Sequence, residues 1–455
     1  MCDGNDEMTN VGLTSVKTCI GLLGVALLLS AVLLIPVNTF AQSNTQPVAS
    51  SPEPAITHYS LPPEKLAKSY ALYQTRIVLL IVESIYGFAI LFIILGIHLG
   101  PRFRNISERV SRFRFVQAYI FVSLLLFTIA ALNLPFDVYS QHISRAYGIS
   151  VQSWGSWSWD WVKGQLVSYV ILSAVIWLLY VIIRRSPRRW WLYFWLASLP
   201  ITVFVVFIAP VVLEPMFNKF EPLAPRNPAL AAALHRVTER GGVEIPESRM
   251  YEMKASEKLT VYNAYVSGIG ATKRVVVWDT TERDMTIPET MFVFGHEMGH
   301  YVLNHIWKGL ACTAILTFIG LYVLFVVANS SIERWADRLG IRALGDWASL
   351  PLLILIVSVL SFIGQPIGSG FSRHLEHQAD IYGLEVSHGL VPESSMTAAN
   401  AFQKLGEKGY SYPYPSPALV FWVYDHPPIS DRLLFSLHYR PWDEGKPDKY
   451  VPQLH

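Results

Sequence analysis

Residues 286–300 read TIPETMFVFGHEMGH, and the fold of the chain is best predicted outward from this stretch. Thr286 and Glu289 have the spacing of a capping box, and Pro288 suits the first turn of a helix. An apolar run follows and leads into the HEMGH motif. The stretch therefore predicts a helix that carries this motif, preceded by a strand over Val275–Trp278.

The HEMGH motif at residues 296–300 predicts a zinc site. His296 and His300 stand one turn apart on one helix face, so both imidazoles can bind one Zn²⁺ ion. Glu297 lies beside them, where its carboxylate can take a proton from metal-bound water. We therefore expect one zinc ion per chain, with the two histidines as ligands and Glu297 as the catalytic base.

A catalytic zinc site usually has a third protein ligand and keeps one position for water. Metzincin proteases place this ligand six residues after the second histidine, with a glycine between. Ile306 and Leu303 occupy these positions here, which excludes that class. His305 is nearby, but on a continuous helix it would point about 180° away from His296, which favours a capping or interfacial role.

A second polar cluster, SRHLEHQAD at residues 372–380, offers other ligands. Glu376 and Asp380 are spaced i, i+4 and share a helix face. This spacing suits a glutamate ligand together with an aspartate that holds a ligand histidine through its other ring nitrogen. Spacing alone leaves His374 and His377 open as alternatives to Glu376.

Composition predicts a membrane protein. Of the 455 residues, 52% are hydrophobic and only 15% are charged, whereas soluble domains carry about 25% charged residues. The net charge of +2 gives no bulk attraction to nucleic acid, so we expect no nucleic-acid partner. The three cysteines, Cys2, Cys19 and Cys312, predict neither a disulfide framework nor a cysteine metal site.

Seven apolar stretches approach the length of about 20 residues that crosses a bilayer. They lie near residues 18–36, 77–97, 115–134, 164–183, 190–213, 309–328 and 349–368. The first is either a retained span or a cleaved signal peptide, and residues 42–70 predict an external flexible linker. The predicted fold is mainly α, a multi-pass transmembrane helical bundle of about seven spans with a cytoplasmic zincin-like α+β metalloprotease domain.

The spans predict three regions. Residues 1–75 would hold the first apolar stretch and the linker, residues 76–213 four spans, and residues 214–455 a metalloprotease domain that two spans interrupt.

Arginines in two short loops predict the orientation, because cytoplasmic loops are enriched in Lys and Arg. The loops at 102–114 and 184–189 hold five and four arginines, so both are expected in the cytoplasm. The connection 135–162 contains a single basic residue, Arg145, and is therefore expected on the external side of the membrane. Counting on from there predicts that the polar segments 214–308 and 369–455 share the cytoplasmic side and form one site there.

Five separated motifs make the chain resemble a known family. They are EPMFNKFEPL at 214–223, NAYVSGIG at 263–270, HEMGH at 296–300, the ExxxD cluster at 376–380 and DHPPISDRL at 425–433. In this order they resemble the type-1 CAAX prenyl proteases, integral-membrane zinc endopeptidases related to bacterial stress proteases that clear damaged membrane proteins. The resemblance covers residues 60–455 and includes the number and placement of the spans.

The resemblance implies roles for residues that spacing leaves open. Glu376 would be the third zinc ligand, and Asp380 would lie behind a ligand, with a proton-donor role also described in the family. His426 would stabilise the tetrahedral intermediate, and Arg432 would lie near it as a substrate-binding residue.

A peptide-binding edge is predicted next to the metal motif. Leu259–Ser267 predicts a strand, and Gly268–Gly270 predicts a turn into the strand Arg274–Trp278. A peptide can add to the edge of such a strand through main-chain hydrogen bonds, although a purely structural hairpin fits the same pattern. By the resemblance, Asn263 would hold the backbone of the peptide near the zinc ion.

Together these features predict metal-assisted peptide hydrolysis at a lipid bilayer. Two kinds of substrate fit, a prenylated C-terminal CAAX peptide and the damaged proteins of general membrane quality control. A silent scaffold would bind zinc and cleave nothing, and a transporter or receptor with incidental histidines would bind no zinc. The oligomeric state is not predicted.

Overall fold

The computed structural model describes residues 56–268 and 273–451. The first apolar stretch, the linker before residue 56 and part of the Gly268–Gly270 turn lie outside the described residues. Helices dominate, and their bounds are α1 Pro63–Gly96, α2 Leu99–Val110, α3 Arg114–Ala146, α4 Trp154–Arg185, α5 Trp190–Val212, α6 Glu214–Phe217, α7 Pro228–Arg240, α8 Asp279–Asp284, α9 Ile287–Val302, α10 His305–Leu339, α11 Leu350–Ser387, α12 Ser394–Lys408, α13 Pro417–Trp422 and α14 Ile429–His438. The strands are β1 Phe220–Pro222, β2 Met250–Met253, β3 Ala264–Ser267 and β4 Arg274–Trp278.

Six helical segments in the described residues are long and apolar enough to cross a membrane, namely α1, α3, α4, the first part of α5, α10, and α11 with the turn before it. They match six of the seven predicted stretches, so the chain is an integral membrane protein. Most of these helices extend beyond the apolar stretch. α1 begins at Pro63, inside the predicted linker, and α11 continues through Pro366 as far as Ser387.

Aromatic and aliphatic side chains fill the centre of the bundle. Phe121 on α3, Tyr180 on α4 and Trp347 before α11 are buried together. The Tyr180 hydroxyl lies 2.7 Å from Ser349 Oγ, and the Arg184 guanidinium lies 4.1 Å from the centre of the Trp347 ring. These contacts pack the connection between α10 and α11 against the end of α4.

One end of the bundle, which we call the arginine end, consists of the arginine-rich loops 102–114 and 184–189 and the connection 340–346. Arg104 donates to the carbonyl of Gly340 at 3.0 Å and to Asp346 at 2.5 Å. The Arg184 Nε donates to the carbonyl of Gly345 at 2.8 Å. These three short connections therefore lie together.

The other end, which we call the protease end, carries the polar segments 214–308 and 369–455. There the connection between α3 and α4 meets the polar segment, since Ser150 pairs with Leu259 and the Thr260 hydroxyl donates to the carbonyl of Gly148 at 2.8 Å. α3 runs from the arginine end to the protease end. It has 33 residues, and a helix of that length spans about 50 Å.

The predicted arrangement of the two ends is therefore wrong. It placed the arginine-rich loops and both polar segments on one side of the membrane. Only α5 leads from the loop ending at residue 189 to the polar segment starting at residue 214, and one crossing puts these two parts on opposite sides.

A small four-stranded sheet stands at the protease end in the order β1-β2-β4-β3. β2 and β4 are parallel, whereas β1 and β3 pair antiparallel with their neighbours. β4 has the predicted bounds, but the strand predicted over Leu259–Ser267 is regular only in β3. β3 ends the sheet and contacts α9, so within the described residues a free strand edge lies beside the HEMGH helix.

The start of α9 is built as the sequence predicts. Glu289 accepts from the Thr286 backbone N–H at 2.7 Å and donates its own N–H to the Thr286 hydroxyl at 3.4 Å, which completes the capping box. Such a cap stabilises a helix by about 1 kcal/mol. The cap fixes where α9 begins and hence which face of it carries His296 and His300.

Candidate active site

Glycines bring the two motif helices, α9 and α11, into close contact. A Cβ atom on Gly295 would lie 2.7 Å from Val386 Cγ1, and one on Gly383 would lie 3.0 Å from the backbone nitrogen of His296. Larger residues would push the helices apart, so these glycines set the distance between HEMGH and the ExxxD cluster. The Gly295 and Gly299 spacing is a small-xxx-small pattern that could have indicated this contact from the sequence.

His296, His300 and Glu376 converge in the buried space between these helices. The two Nε2 atoms lie 3.1 Å apart. The Glu376 oxygens lie 3.2 Å from His296 Nε2 and 3.3 Å from His300 Nε2. One possible ligand atom from each of the three residues lies within 4.8 Å of the other two.

His374 and His377, the alternatives to Glu376, lie elsewhere. His374 is exposed and its Nε2 lies 2.9 Å from the Gln378 amide nitrogen. The ring of His377 packs on Phe435 with 4.5 Å between the ring centres. The rotation of α11 therefore brings Glu376 to the two histidines and turns the other candidates away.

The atoms at this centre fit a cation. His296 Nδ1 lies 2.8 Å from Asp380 Oδ1, so its proton belongs on Nδ1 and the lone pair of Nε2 faces the site. Burial holds the pKa of His300 well below its ordinary value, so this imidazole is neutral, as a metal ligand must be. Glu376 Oε2 is buried and close to His296 Nε2, but it accepts no hydrogen bond of suitable geometry among the described residues. A divalent metal would satisfy all three groups.

Asp380 and Arg432 support His296 from behind. Arg432 donates to both Asp380 oxygens, at 2.9 and 2.6 Å, in a bidentate pair. Asp380 thus lies behind His296, the first histidine of the motif. Arg432 was predicted to bind substrate, but its side chain is buried against Asp380 and over the Phe402 ring.

His300 has a support that the sequence analysis missed. His305 Nδ1 lies 3.1 Å from His300 Nδ1, and His305 Nε2 lies 3.1 Å from Gln378 Oε1. The predicted angle for His305 assumed one continuous helix. The chain instead turns at Asn304, whose φ is 58°, and α10 begins at His305. This turn directs His305 back to His300.

His426 lies beside the three-residue centre. Its Nε2 is 3.3 Å from Glu376 Oε2, and its Nδ1 is 2.7 Å from the Asp425 carboxylate. Burial alone would lower the pKa of His426, but the carboxylates of Glu376 and Asp425 outweigh burial and raise this pKa. Its Nε2 is buried and, despite the short distance to Glu376, makes no hydrogen bond of suitable geometry among the described residues. Asp425 is a further supporting residue that the sequence analysis did not identify.

Glu297 and Asn263 complete the set of predicted residues. Glu297 is buried beside His296, and burial raises its pKa above that of an ordinary carboxyl group. A raised pKa makes this carboxylate a stronger base. Asn263 comes just before β3, where its backbone N–H donates to the Thr281 hydroxyl at 2.7 Å and its side chain is half-buried.

A buried His–His–Glu group on two packed helices, with a glutamate beside it, defines a metallopeptidase, and the long apolar helices place it in a membrane. Comparison with known families agrees. Residues 45–219 match the family described as CAAX prenyl protease N-terminal, five membrane helices, and residues 224–437 match Peptidase family M48. The chain belongs to peptidase family M48 and is a membrane metalloendopeptidase.

Similar proteins come from bacteria and eukaryotes. The metalloprotease YhfN of Bacillus subtilis is 33% identical over 82% of this chain and 85% of its own length. The human CAAX prenyl protease 1 homolog is 24% identical over 74% of this chain and 76% of its own. The crystal structure of S. mikatae Ste24p has the same fold, with a TM-score of 0.69, 22% identity and coverage of 83% of this chain and 90% of that one.

Proposed function

We propose that Zn²⁺ is the metal that His296, His300 and Glu376 hold, and that the protein hydrolyses peptide bonds of membrane-associated proteins. The convergence of two imidazole Nε2 atoms and one carboxylate within 4.8 Å supports this proposal. Two histidines and a glutamate are a ligand set of catalytic zinc sites, which keep a fourth position for water. When bound, zinc lowers the pKa of its water and polarises a carbonyl group.

The chain's own residues supply the rest of the reaction. Glu297 accepts the proton of the attacking water and returns it to the leaving amine. His426 donates from Nε2 to the oxygen on which negative charge develops. Asp380, held by Arg432, fixes the ring of His296 and keeps its Nδ1 protonated. Asp380 acts through His296 in this scheme and is a positioning residue.

The substrate binds as an extended peptide along the free edge of β3, with Asn263 at its start. The position of the site supports a membrane-associated substrate, because α11 carries both an apolar span and Glu376 and α10 begins five residues after His300. A lipidated C-terminal peptide is one candidate, since several relatives are named CAAX prenyl proteases. Damaged membrane proteins are the other candidate.

The test compares Glu297→Gln and His426→Ala with the parent chain. Both variants keep the three proposed ligands, so we expect one zinc ion per chain by elemental analysis. Glu297→Gln should lower the cleavage rate by several orders of magnitude because it removes the base. His426→Ala should lower the rate by roughly 10²–10³, the cost of one oxyanion donor.

Two outcomes would reject the proposal. Substantial cleavage by Glu297→Gln would remove the assigned base. A parent chain that binds zinc and cleaves no membrane-associated peptide would be a scaffold. His438→Ala is the matched control, since this exposed histidine lies on α14, where its Nδ1 contacts the Leu434 carbonyl, and its loss should change neither the zinc content nor the rate.

A further inference from the structure

The two ends of the bundle differ in their basic residues. The arginines in the short connections of the arginine end and the adjoining helix ends are Arg102, Arg104, Arg109, Arg112, Arg114, Arg184, Arg185, Arg188, Arg189, Arg334, Arg338 and Arg342. Arg109, Arg112 and Arg188 are among those whose side chains are exposed. A positive rim of this kind belongs next to an anionic leaflet.

The short connections at the protease end carry no such charge, and the adjoining ends of α1, α3 and α4 add only Lys65, Lys68, Arg145 and Lys163. Residues 37–62, which lead into α1, and residues 147–153, which join α3 to α4, contain neither Lys nor Arg. The end of the first connection lies at the protease end, because the Tyr59 hydroxyl donates to the carbonyl of Ser411 at 2.9 Å. The basic residues of the longer polar segments 214–308 and 369–455 are left out of this comparison, because long segments cross a membrane largely regardless of their charge.

We propose that the arginine end faces the cytoplasm and that the metal site therefore faces the opposite, external side of the membrane. The basic residues of short loops determine which side remains in the cytoplasm, and α3, α4 and α5 separate these loops from the metal site. The cytoplasmic site predicted from the sequence rested on the same arginines but misassigned the direction of α5.

The first apolar stretch supports the same orientation from its sequence alone. Lys17 precedes it and no basic residue follows it until Lys65. The stretch would therefore start in the cytoplasm and deliver residues 37–62 to the outside, whether it is retained or cleaved. These residues then join the protease end on the external side.

This orientation restricts the substrate, and that consequence rests on the proposed peptidase function. Substrates would be extended peptide segments exposed on the external face, in secreted proteins or in the outer loops and tails of membrane proteins. A lipidated C terminus anchored in the cytoplasmic leaflet would not reach the β3 edge.

The test labels single cysteines in the full chain. Cys2, Cys19 and Cys312 are changed to Ser, and one exposed residue is changed to Cys at each end, Ser248→Cys at the protease end and Pro187→Cys at the arginine end. A membrane-impermeant maleimide is added to sealed right-side-out vesicles before and after detergent permeabilisation. We expect Ser248→Cys to react in sealed vesicles and Pro187→Cys to react only after permeabilisation.

The reverse pattern would overturn the inference, and so would equal labelling of both cysteines in sealed vesicles. Zinc content and Glu297-dependent cleavage are measured separately in detergent, where the side of the membrane does not matter. A failed orientation therefore leaves the peptidase function intact, and a failed peptidase assay leaves the orientation intact.

Discussion

His300 depends on a neighbour in the next helix for its orientation. A metal ligand histidine is oriented by the partner of its other ring nitrogen, and for His300 this partner is His305, which in turn contacts Gln378. His296 has a different kind of support, the carboxylate of Asp380. The two histidines of the motif, our proposed ligands, are therefore held by different parts of the chain.

We predict that His305→Ala weakens metal binding without removing a ligand. Loss of a supporting partner typically costs 10- to 100-fold in metal affinity, and we expect a weakening of about that size. Titration of the metal-free protein against a competing chelator measures it.

His377→Ala is the control, because His377 packs on Phe435 on the outer face of α11. An unchanged affinity in His305→Ala, or an equal loss in both variants, would show that His305 does not orient His300.

Site residues could be predicted where the motif is local, and were missed where distant segments meet. The i, i+4 spacing placed His296 and His300 on one helix face, and the resemblance chose Glu376. Spacing could not reveal that α11 turns His374 outward, since this depends on how α11 packs against α9. Gln378 was missed because it reaches His305 only through folding, with no recognisable spacing. Asp425 directly precedes His426 in the chain, but adjacency alone does not show that its carboxylate turns back to the imidazole.

The β3 edge is the element most suited to bind a peptide. The carbonyl of Asn263 accepts from Trp278 N–H at 3.0 Å, so this pair is hydrogen-bonded across the sheet. Antiparallel pairs alternate between bonded and non-bonded. Tyr265 therefore bonds β4, whereas the backbone groups of Ala264 and Val266 face the free edge.

We predict that Val266→Pro weakens peptide binding while leaving the sheet intact. Proline removes one N–H group from the free edge and is tolerated on an edge strand. One lost hydrogen bond of about 0.5–1.5 kcal/mol should raise KM by roughly 2- to 10-fold with little change in kcat. Steady-state cleavage of a peptide substrate measures both constants.

Val266→Ala keeps the N–H group and is the control for loss of the side chain. If proline and alanine raise KM equally, the edge does not bind peptide through its backbone. If kcat falls instead, the substitution disturbs the site itself.

Element boundaries were harder to predict than element types. The apolar stretches ended where polar residues began, but helices such as α1 and α11 continue past them because helical hydrogen bonding does not depend on apolar side chains. The strand over Leu259–Ser267 was predicted too long. Leu259 pairs only with Ser150, and the Asn263 N–H bonds to Thr281, so the chain joins the sheet only at Ala264.

At the scale of the whole molecule, the error in the predicted orientation came from following the chain through the membrane and not from the pattern of arginines. The arginine-rich loops were identified correctly, and the error lay in the direction of one helix, α5. Only one span joins the loop ending at residue 189 to the segment starting at residue 214, so a correct count of spans already separates them. The contact of Arg184 with Gly345 agrees with this count, because it places the connection between α10 and α11 beside the arginine-rich loops.

The bundle and the protease end are joined through a buried carboxylate. Asp160, on α4, accepts from Lys258 Nζ at 2.6 Å and from Lys163 Nζ at 2.7 Å. Gln152 donates to the same carboxylate at 2.7 Å. Lys258 also donates to the carbonyl of Phe217. One membrane helix is thus tied to two parts of the segment that carries the sheet.

We predict that Asp160→Asn loosens this connection and destabilises the whole chain. The Asp160 side chain is 4% exposed and that of Lys258 is 19% exposed, so the variant leaves a largely buried ammonium group without its charged partner. Breaking such a pair costs about 3 kcal/mol, which should lower the apparent Tm in detergent by roughly 5 °C. Glu257→Gln is the matched control, because it breaks the Lys219–Glu257 pair, whose side chains are 71% and 49% exposed. Exposed pairs contribute at most about 1 kcal/mol, so the Tm of Glu257→Gln should stay near that of the parent chain. Equal Tm values for Asp160→Asn and the parent chain would mean that the Asp160–Lys258 pair does not help to hold the bundle to the protease end.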